Sequence, residues 1–317
     1  MNQPTEKNCA KKTSIGGQAL IEGIMMRGPQ TTAMAVRHVS GEIVVEEWET
    51  KGLNKPKWMT LPFIRGLFNF IDSMRYGYTC LMRSAELSGL EEEPPKKEED
   101  PAEKKGTDWL MNGLMAASVV LGLLLAVVLF IWLPAFLFRL LSSFVPALHN
   151  AILRGVFEGV FRMVLFVGYI LLVSLMKDIR RVFMYHGAEH KTIFCYEQGL
   201  PLTVENIRGQ SRFHPRCGTS FMILMLLVGM IISMLIPDMN TILRTAIKLL
   251  TIPLSVGVGY ELIKLAGRCD NRFTRIISAP GMWLQRITTR EPDDSMIECA
   301  IEAMNRVIPE DESLDRW

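Results

Sequence analysis

Long apolar stretches occupy much of the chain after residue 108 and predict helices that cross a membrane. Spanning a bilayer takes roughly 20 helical residues, and four windows reach or approach that length. These windows are residues 109–141, 156–176, 220–236 and 242–265. Pro134 is expected to break the first window near its far end, and Pro253 to kink the fourth. The pattern predicts a mainly α-helical, polytopic membrane protein with a four-helix membrane domain over residues 109–265.

Basic residues are distributed unevenly between the loops, which orients the predicted helices. Residues 177–219 hold seven Lys and Arg against four Asp and Glu, whereas residues 142–153 and 237–241 hold no Lys or Arg. Cytoplasmic loops of membrane proteins are enriched in Lys and Arg. We therefore expect the 177–219 loop and both termini to be cytoplasmic.

The residues before the first predicted span indicate a small cytoplasmic α+β region over residues 1–87. Apolar and polar side chains alternate over residues 32–39 and 42–48, on either side of a Ser-Gly pair, which is typical of a β-hairpin. Over residues 63–83, polar side chains recur at helical spacing on an apolar background. That pattern suits a helix in the membrane interface or packed on the membrane domain. An ordinary core helix of a soluble domain is an equally good interpretation.

Two further segments flank the predicted membrane domain. Residues 91–105 read EEEPPKKEEDPAEKK, so we expect a disordered, charged linker over residues 88–108. Residues 266–317 are expected to form a cytoplasmic tail that includes a helix. In that tail, Ser295 and Glu298 have the spacing of a capping box.

Composition agrees with a membrane protein and argues against several other classes. The chain has 317 residues, 49% of them hydrophobic, and a mean hydropathy of +0.20, unlike a disordered chain or an ordinary soluble enzyme. The 35 Lys and Arg nearly balance the 33 Asp and Glu, so no nucleic-acid partner is expected. The six cysteines form no C-x-x-C pair, and we expect reduced thiols rather than a secreted disulfide framework. The first 50 residues contain no long apolar stretch of the kind found in signal peptides.

The densest chemistry lies in YHGAEHK, residues 185–191, directly after the second predicted span. The segment matches H-x-x-E-H, the inverted zincin order. If a helix runs through it, His186 and His190 are four residues apart on one face, where both rings reach one metal ion. Glu189 is then close enough to act as a general base towards water. The motif has only three fixed positions, so the surrounding sequence has to support it.

A second element, HPRCG at residues 214–218, begins 24 residues after His190. His214 and Cys217 supply an imidazole and a thiolate, both of which zinc accepts in a tetrahedral shell. With His186 and His190 they would form a closed, structural zinc site of four ligands. Three ligands with Glu189 as base would instead form a hydrolase site. Polar residues hydrogen-bonded to the N-terminal region, without any metal, are the remaining interpretation.

Three other residues are candidates for supporting a metal site. The glycine-rich segment 16–29 is interpreted as a buried loop. Its Glu22 and Arg27 could hydrogen-bond to the metal ligands and orient them without binding the metal themselves. Glu261, near the cytoplasmic end of the fourth span, is a candidate distal carboxylate ligand. An ion pair with Lys264 or an arginine suits Glu261 better.

Charged residues within the predicted spans are functional candidates by default. Glu158 and Arg162 are four residues apart in the second span and are expected to neutralise each other. Arg244 and Lys248 lie near the outer end of the fourth span and are expected to extend to the membrane surface.

Four segments together carry a resemblance to a known family. They read GGQALIEGIMMRGP at 16–29, YHGAEHKTIFCYE at 185–197, HPRCGTS at 214–220 and TTREPDD at 288–294. In these segments the chain resembles the YqhQ-like family of bacterial membrane proteins, which has a domain of unknown function and is described as predicted metal-dependent enzymes. The resemblance implies a protein of the bacterial cytoplasmic membrane with a metal at the histidines, and it implies no substrate.

Two classes of function follow from the sequence. The first is a metal-dependent hydrolase acting at the membrane surface, with His186 and His190 as ligands and Glu189 as base. The second is a non-enzymatic factor that contacts the lipid bilayer and binds other membrane proteins, such as a translocon-associated or assembly factor. The second is slightly favoured, because the sequence shows no obvious substrate cleft and its ligands suffice for a closed zinc site.

Overall fold

A computed structural model describes residues 12–50, 56–90, 101–145, 150–237, 239–268 and 271–315. The chain divides into two compact units, which we call the sheet unit and the helix unit. The sheet unit comprises Met1–Glu91, Ile170–Leu224 and Gly259–Trp317, and the helix unit comprises Glu92–Tyr169 and Met225–Val258.

Most of the described chain is helical. The helices are α1 (Ile64–Ser88), α2 (Pro101–Val127), α3 (Leu133–Phe144), α4 (Ala151–Val173), α5 (Lys177–Glu197), α6 (Val204–Arg208), α7 (Gly218–Leu235), α8 (Thr241–Arg268), α9 (Arg272–Thr288) and α10 (Asp294–Val307). Among the described residues, four helical stretches are long and apolar enough to cross a membrane, as predicted. They are Ala116–Phe144, Ala151–Val173, Gly218–Leu235 and Thr241–Gly267.

The N-terminal part of the sheet unit is an antiparallel sheet of four strands in sequential order. The strands are β1 (Gly16–Leu20), β2 (Gly23–Arg27), β3 (Thr31–Arg37) and β4 (Ile43–Glu49). β3 and β4 confirm the hairpin predicted at residues 32–39 and 42–48, with Val36 opposite Val44.

The glycine-rich segment forms β1 and β2, so its interpretation as a loop is wrong. Ile24, Met25 and Met26 are all buried in β2, and burial on both faces removes the alternation by which a half-exposed strand is recognised. Gly23 is needed for the pairing, because a Cβ there would lie 2.5 Å from the carbonyl oxygen of Ala35. Glu22 turns the chain between the two strands with a φ of 51°.

Helix α1 packs one face on this sheet. Cys80 belongs to an apolar cluster with Leu20 and Met34, and Gly77 leaves room for the side chain of Gln18. The other side of α1 carries exposed apolar side chains, which are Ile64, Ile71, Met74, Tyr78 and Met82. One face is therefore that of a core helix, and the other leaves an apolar surface.

Helices α5 and α10 complete the core of the sheet unit. Tyr185 of α5 and Met296 and Ala300 of α10 are buried in one cluster with Ile24 of the sheet. α5 is a separate helix rather than a continuation of the second span, since α4 ends at Val173.

The predicted capping box of the last helix is wrong in position. Asp293 is the N-cap of α10, and its side chain accepts a hydrogen bond from the N–H of Met296 at 3.0 Å. The hydroxyl of Ser295 lies 2.5 Å from the same carboxylate. An aspartate is as good a cap as a serine, so the helix begins earlier than the box predicts.

The expected charged linker lies only partly within the described residues. Residues 91–100 lie outside the described residues, and the chain is helical in α2 from Pro101 onwards. Residues 101–108 of the expected linker are thus the first residues of α2. Proline suits the first turn of a helix, and the alanine, glutamate and lysines after it are good helix formers.

The first span continues through Pro134 instead of breaking there. A π-helical turn at Val128–Trp132 joins α2 to α3, which has Pro134 in its first turn. Proline has no N–H to offer to the carbonyl group four residues earlier, that of Phe130. Arg162 Nε donates to this carbonyl at 2.7 Å. Arg162 is thus bound to the backbone, contrary to the predicted pairing with Glu158.

Charged side chains of the helix unit form one buried cluster. The carboxylate of Glu158 accepts hydrogen bonds from Arg154 Nε at 3.1 Å, from Ser233 Oγ at 3.0 Å and from Lys248 Nζ. Arg244 Nε lies 3.4 Å from the same carboxylate. Arg244 and Lys248 are both buried, so the expectation that they extend to the membrane surface is wrong. A buried carboxylate offers them a closer partner than the interface does.

Candidate metal centre

The predicted metal ligands come together where α5 meets the start of α7. His186, His190 and Cys217 each offer one ligand atom, and these atoms lie within 4.8 Å of one another. The four-residue spacing places both imidazoles on one face of α5, with ring centroids 4.4 Å apart. Cys217 directly precedes α7 and brings its Sγ to 3.2 Å from His186 Nε2.

Backbone carbonyl groups orient both imidazoles. His186 Nδ1 lies 2.8 Å from the carbonyl oxygen of Thr288, and His190 Nδ1 lies 2.6 Å from that of Arg212. A carbonyl oxygen only accepts hydrogen bonds, so each Nδ1 donates, and Nε2 is the nitrogen of each ring that a metal would bind. Histidines that bind metals in proteins are typically held in this way.

The electrostatics of the cluster favour a thiolate. Burial would lower the pKa of His186, but the Cys217 thiolate beside it raises that pKa to about 9. Burial would raise the pKa of Cys217, but His186 and His190 hold it well below its usual range. The thiolate is the form of cysteine that binds metals.

Glu189 is buried beside these three residues. Burial raises the pKa of its carboxyl group, while His186, His190 and a hydrogen bond from the backbone of Gly17 oppose the rise. A Cβ on residue 17 would lie 2.8 Å from Glu189 Cγ. Strand β1 therefore approaches the carboxylate closely because residue 17 is a glycine.

His214 lies next to the cluster but faces another partner. Its Nε2 is 3.8 Å from one oxygen of Glu197, and Arg216 binds the other oxygen. The rings of His214 and His190 are 5.6 Å apart. Burial lowers the pKa of His214, although Glu197 opposes this. The structure thus brings three of the four expected ligands together and places His214 in a neighbouring ion-pair network.

Glu22 supports the helix that carries the ligands. Its carboxylate binds Arg181 Nε at 2.5 Å and the hydroxyl of Tyr185 at 3.3 Å. Tyr185 directly precedes His186, so Glu22 holds α5 against the turn between β1 and β2.

Arg27 and Glu261 make other contacts. The guanidinium carbon of Arg27 lies 5.2 Å from the ring centroid of Tyr76, in a cation–π arrangement. Glu261 forms the ion pair with an arginine that the sequence favoured, and the arginine is Arg65 of α1.

Three residues that build the centre were not identified from the sequence. Thr288 and Arg212 act through their carbonyl groups, and both lie in or near segments whose motifs stood out. Gln285 holds the backbone of His214, accepting from its N–H and donating to its carbonyl oxygen, both at 2.8 Å. No local pattern indicates Gln285, because its partner is 71 residues away.

Comparison with known proteins agrees with the resemblance found in the sequence. Residues 61–310 match the family described as protein of unknown function DUF1385. The chain is 36% identical over 301 residues to an uncharacterized protein, YqhQ of Bacillus subtilis (strain 168), with 93% of this chain and 92% of that protein covered. No solved structure matches the chain at a significant level. The chain therefore belongs to the DUF1385 family of proteins of unknown function.

Proposed function

We propose that this protein is a zinc-dependent enzyme of the bacterial cytoplasmic membrane, of the hydrolase class. His186, His190 and Cys217 are the ligands, and Glu189 is the general base. The observation that carries the proposal is the convergence of three ligand atoms within 4.8 Å beside a buried carboxylate. His214, the fourth ligand of the closed alternative, faces Glu197 instead.

The residues at the centre fit zinc. Two imidazoles and a thiolate are donors that zinc accepts, at about 2.0–2.1 Å for nitrogen and about 2.3 Å for sulfur. Ligand atoms within 4.8 Å of one another reach these distances around one ion through small movements of the side chains. Because a carbonyl group holds each Nδ1, Nε2 of each ring is available to the ion. Three protein ligands leave a fourth position open, as in catalytic zinc sites.

The residues of the chain supply positioning and proton transfer. Zinc at such a site supplies Lewis acidity, polarising an oxygen of water or of a carbonyl or phosphoryl group. Glu189, held by the backbone of Gly17, takes a proton from the attacking water and gives it to the leaving group. The carbonyl groups of Thr288 and Arg212 keep both imidazoles in place, so the ligands need little reorganisation.

Metal content of the purified full-length protein tests the site. We expect stoichiometric zinc in the wild type and its loss in His190→Ala. His38→Ala is the matched control, because His38 lies in the turn between β3 and β4, where it bonds to Ser40. His214→Ala is expected to retain zinc if three residues bind the ion. A wild-type protein without stoichiometric zinc would contradict the proposal.

An open coordination position separates an enzyme from a structural site without knowledge of the substrate. In protein loaded with cobalt in place of zinc, we expect the visible absorption of the ion to change when acetohydroxamate is added. Glu189→Gln, which cannot take a proton, is expected to retain the metal and this response. An unchanged spectrum in the wild type would indicate a closed site. Loss of metal from Glu189→Gln would make Glu189 a ligand rather than a base.

Binding of other membrane proteins, as a translocon-associated or assembly factor, is a second candidate function. The exposed apolar face of α1 favours it, since flexible side chains such as Met74 adapt to varied apolar partners. A photocrosslinking residue at position 74 is expected to give a defined protein adduct in native membranes. The same residue at Glu42, an exposed turn position, is expected to give none. Adducts only with lipid at position 74 would contradict this candidate.

A further inference from the structure

Helix α9 follows the end of the fourth candidate span almost without interruption. That span is Thr241–Gly267, and α9 begins at Arg272. Asn271 caps α9, accepting a hydrogen bond from the N–H of Thr274 at 2.9 Å. The helix has 17 residues, which corresponds to about 25 Å at 1.5 Å per residue.

The side chains of α9 are distributed in the opposite way to those of an ordinary amphipathic helix. Its buried side holds one large apolar residue, Leu284, and is otherwise formed by small or polar residues, which are Thr274, Ser278, Gly281, Gln285 and Thr288. Its outer side carries large apolar residues with exposed fractions of 58% for Phe273, 71% for Ile276, 36% for Met282 and 54% for Trp283. A helix that packs only against protein and faces water would place these residues inward.

Contacts on the buried side fix the orientation of α9. Gln285 is hydrogen-bonded to both backbone groups of His214 and donates to Ser220 Oγ at 3.1 Å. Gly281 packs directly on Ser220, where a Cβ would lie 2.5 Å from its Cα. The carbonyl group of Thr288 holds His186. The helix therefore cannot rotate its apolar side chains inward without breaking the metal centre.

The charge of α9 is entirely positive. Arg272, Arg275 and Arg286 are exposed on it, and residues 271–290 contain no Asp or Glu. Arginines together with exposed Trp and Phe are typical of helices that lie in the membrane interface, with the apolar side chains about 5–10 Å deep. Trp prefers the headgroup level, and anionic lipids attract Arg.

We propose that α9 lies flat in the membrane interface, with its apolar side chains in the acyl region and Arg272 and Arg286 on anionic lipid headgroups. The fourth span ends at Gly267, five residues before α9 begins, and keeps the helix close to the bilayer, which makes lipid the occupant of this surface. The same helix forms one wall of the metal centre. Because a helix with its side chains is about 10–12 Å across, the centre lies within roughly that distance of the lipid. This inference does not depend on whether zinc binds.

Quenching of tryptophan fluorescence tests the proposal in the full-length protein. The protein is reconstituted into vesicles of phosphatidylcholine and phosphatidylglycerol whose acyl chains carry bromine, which quenches tryptophan on contact. The contribution of Trp283 is obtained by subtracting the emission of Trp283→Phe from that of the wild type. We expect this contribution to be several-fold weaker in brominated than in unbrominated vesicles. Trp48, which is half-buried in β4, is the matched control, and its contribution is expected to change little.

Two variants test the chemistry of the surface. Ile276→Asp places a charge on the apolar side and is expected to reduce the quenching of Trp283. Arg272→Gln with Arg286→Gln is expected to weaken the dependence of that quenching on phosphatidylglycerol, with Arg275 supplying the charge that remains. Circular dichroism confirms that each variant is folded. If bromine quenches the emission of Trp283 as little as that of Trp48, the proposal is overturned. That result is expected if a second copy of the chain covers this face.

Discussion

Gly17 offers no ligand and no charge, yet the position of Glu189 depends on it. A Cβ at residue 17 would lie 2.8 Å from Glu189 Cγ and 2.9 Å from the carbonyl oxygen of Met25. Gly16, one position earlier, is the opposite case, because a Cβ there meets nothing within 4 Å. Two adjacent glycines of one strand thus have different tolerance for a methyl group.

We expect Gly17→Ala to destabilise the protein by about 1–3 kcal/mol, the usual range for overpacking, and to displace Glu189. Gly16→Ala is the matched control and is expected to stay within about 0.5 kcal/mol of the wild type. Thermal unfolding in detergent measures both effects. Equal stability of the two variants would contradict the packing of Glu189 on residue 17.

The residues of the centre differ in how far the sequence reveals them. His186 and His190 are recognisable because a four-residue spacing joins two side chains in any helix. Cys217 is recognisable because its segment, HPRCG, contains proline and glycine and begins 24 residues after His190. Gln285 and Gly17 act through contacts with distant parts of the chain. Such contacts produce no repeating pattern in the local sequence from which they could be predicted.

Among the elements, the first span shows how a neighbouring helix compensates for a proline. Pro134 cannot donate to the carbonyl group of Phe130, and Arg162 donates to it instead at 2.7 Å. An unsatisfied carbonyl group in a bilayer is costly because no water replaces the missing donor. The sequence predicts the disturbance at Pro134, but the donor is 32 residues away.

A double-mutant cycle measures this compensation. In a protein that retains Pro134, Arg162→Met is expected to reduce the free energy of unfolding by about 1 kcal/mol, the usual contribution of one hydrogen bond. In a Pro134→Ala background, the N–H of residue 134 is available to Phe130, so the same substitution is expected to have a smaller effect. Identical losses in both backgrounds would show that Arg162 acts independently of Pro134.

The buried cluster around Glu158 joins three helices of the helix unit. Glu158 of α4 binds Ser233 of α7 and Lys248 of α8. Removing one member of a buried ion pair leaves the other charge unpaired, which typically costs about 3–5 kcal/mol. We expect a loss of this size for Glu158→Gln in thermal unfolding. Ser118→Ala is the control, since Ser118 is exposed and its hydroxyl bonds within its own helix. A loss of stability below about 1 kcal/mol for Glu158→Gln would contradict the ion pairing.

The spans and the hairpin were predictable, whereas α9 and β1–β2 were not. A membrane span is recognised by its length and hydropathy, and β3 and β4 are recognised by the alternation of apolar and polar side chains. Apart from Leu284, the large apolar side chains of α9 lie mostly on its outer side, so they form no inward stripe by which a core helix is recognised. β2 is buried on both faces, which gives a run of apolar residues too short to identify as a strand.

On the scale of the whole molecule, one carboxylate connects all three segments of the sheet unit. Asp315 accepts hydrogen bonds from Thr13 Oγ1 at 2.6 Å, Ser14 N at 2.7 Å and the hydroxyl of Tyr196 at 3.0 Å. The sequence predicted regions before and after the spans, but it could not pair them, since residues some 300 positions apart share no local pattern.

We expect Asp315→Asn to cost about 1–3 kcal/mol, because charge-assisted hydrogen bonds are lost. Burial would raise the pKa of Asp315, but hydrogen bonds from Thr13, Ser14 and Tyr196 lower it. A lowered pKa in the folded state means that this stabilisation is complete above the unfolded value of about 3.9 and is lost as the pH falls through the folded value.

The difference in stability between the wild type and Asp315→Asn is therefore expected to be constant near neutral pH and to shrink below about pH 4. Thermal unfolding over a pH series measures it. Glu310→Gln, an exposed position, is the control and is expected to match the wild type at neutral pH. A difference that persists unchanged in strong acid would contradict a role for the charge of Asp315.

Because the sheet unit is built from three separate segments of the chain, the order in which they are synthesised constrains its assembly. The face of the sheet formed by Ile24, Met26 and Ala35 is covered by α10, which leaves the ribosome only after all four spans. At about 5–20 residues per second, this delay is on the order of tens of seconds. During that interval the part of the sheet that α10 covers lacks its partner helix, although α5 is already available to pack on the same face. The His/Cys cluster is also completed only after the last span has been made, because Thr288 of α9, whose carbonyl group contacts His186 Nδ1, follows that span in the chain.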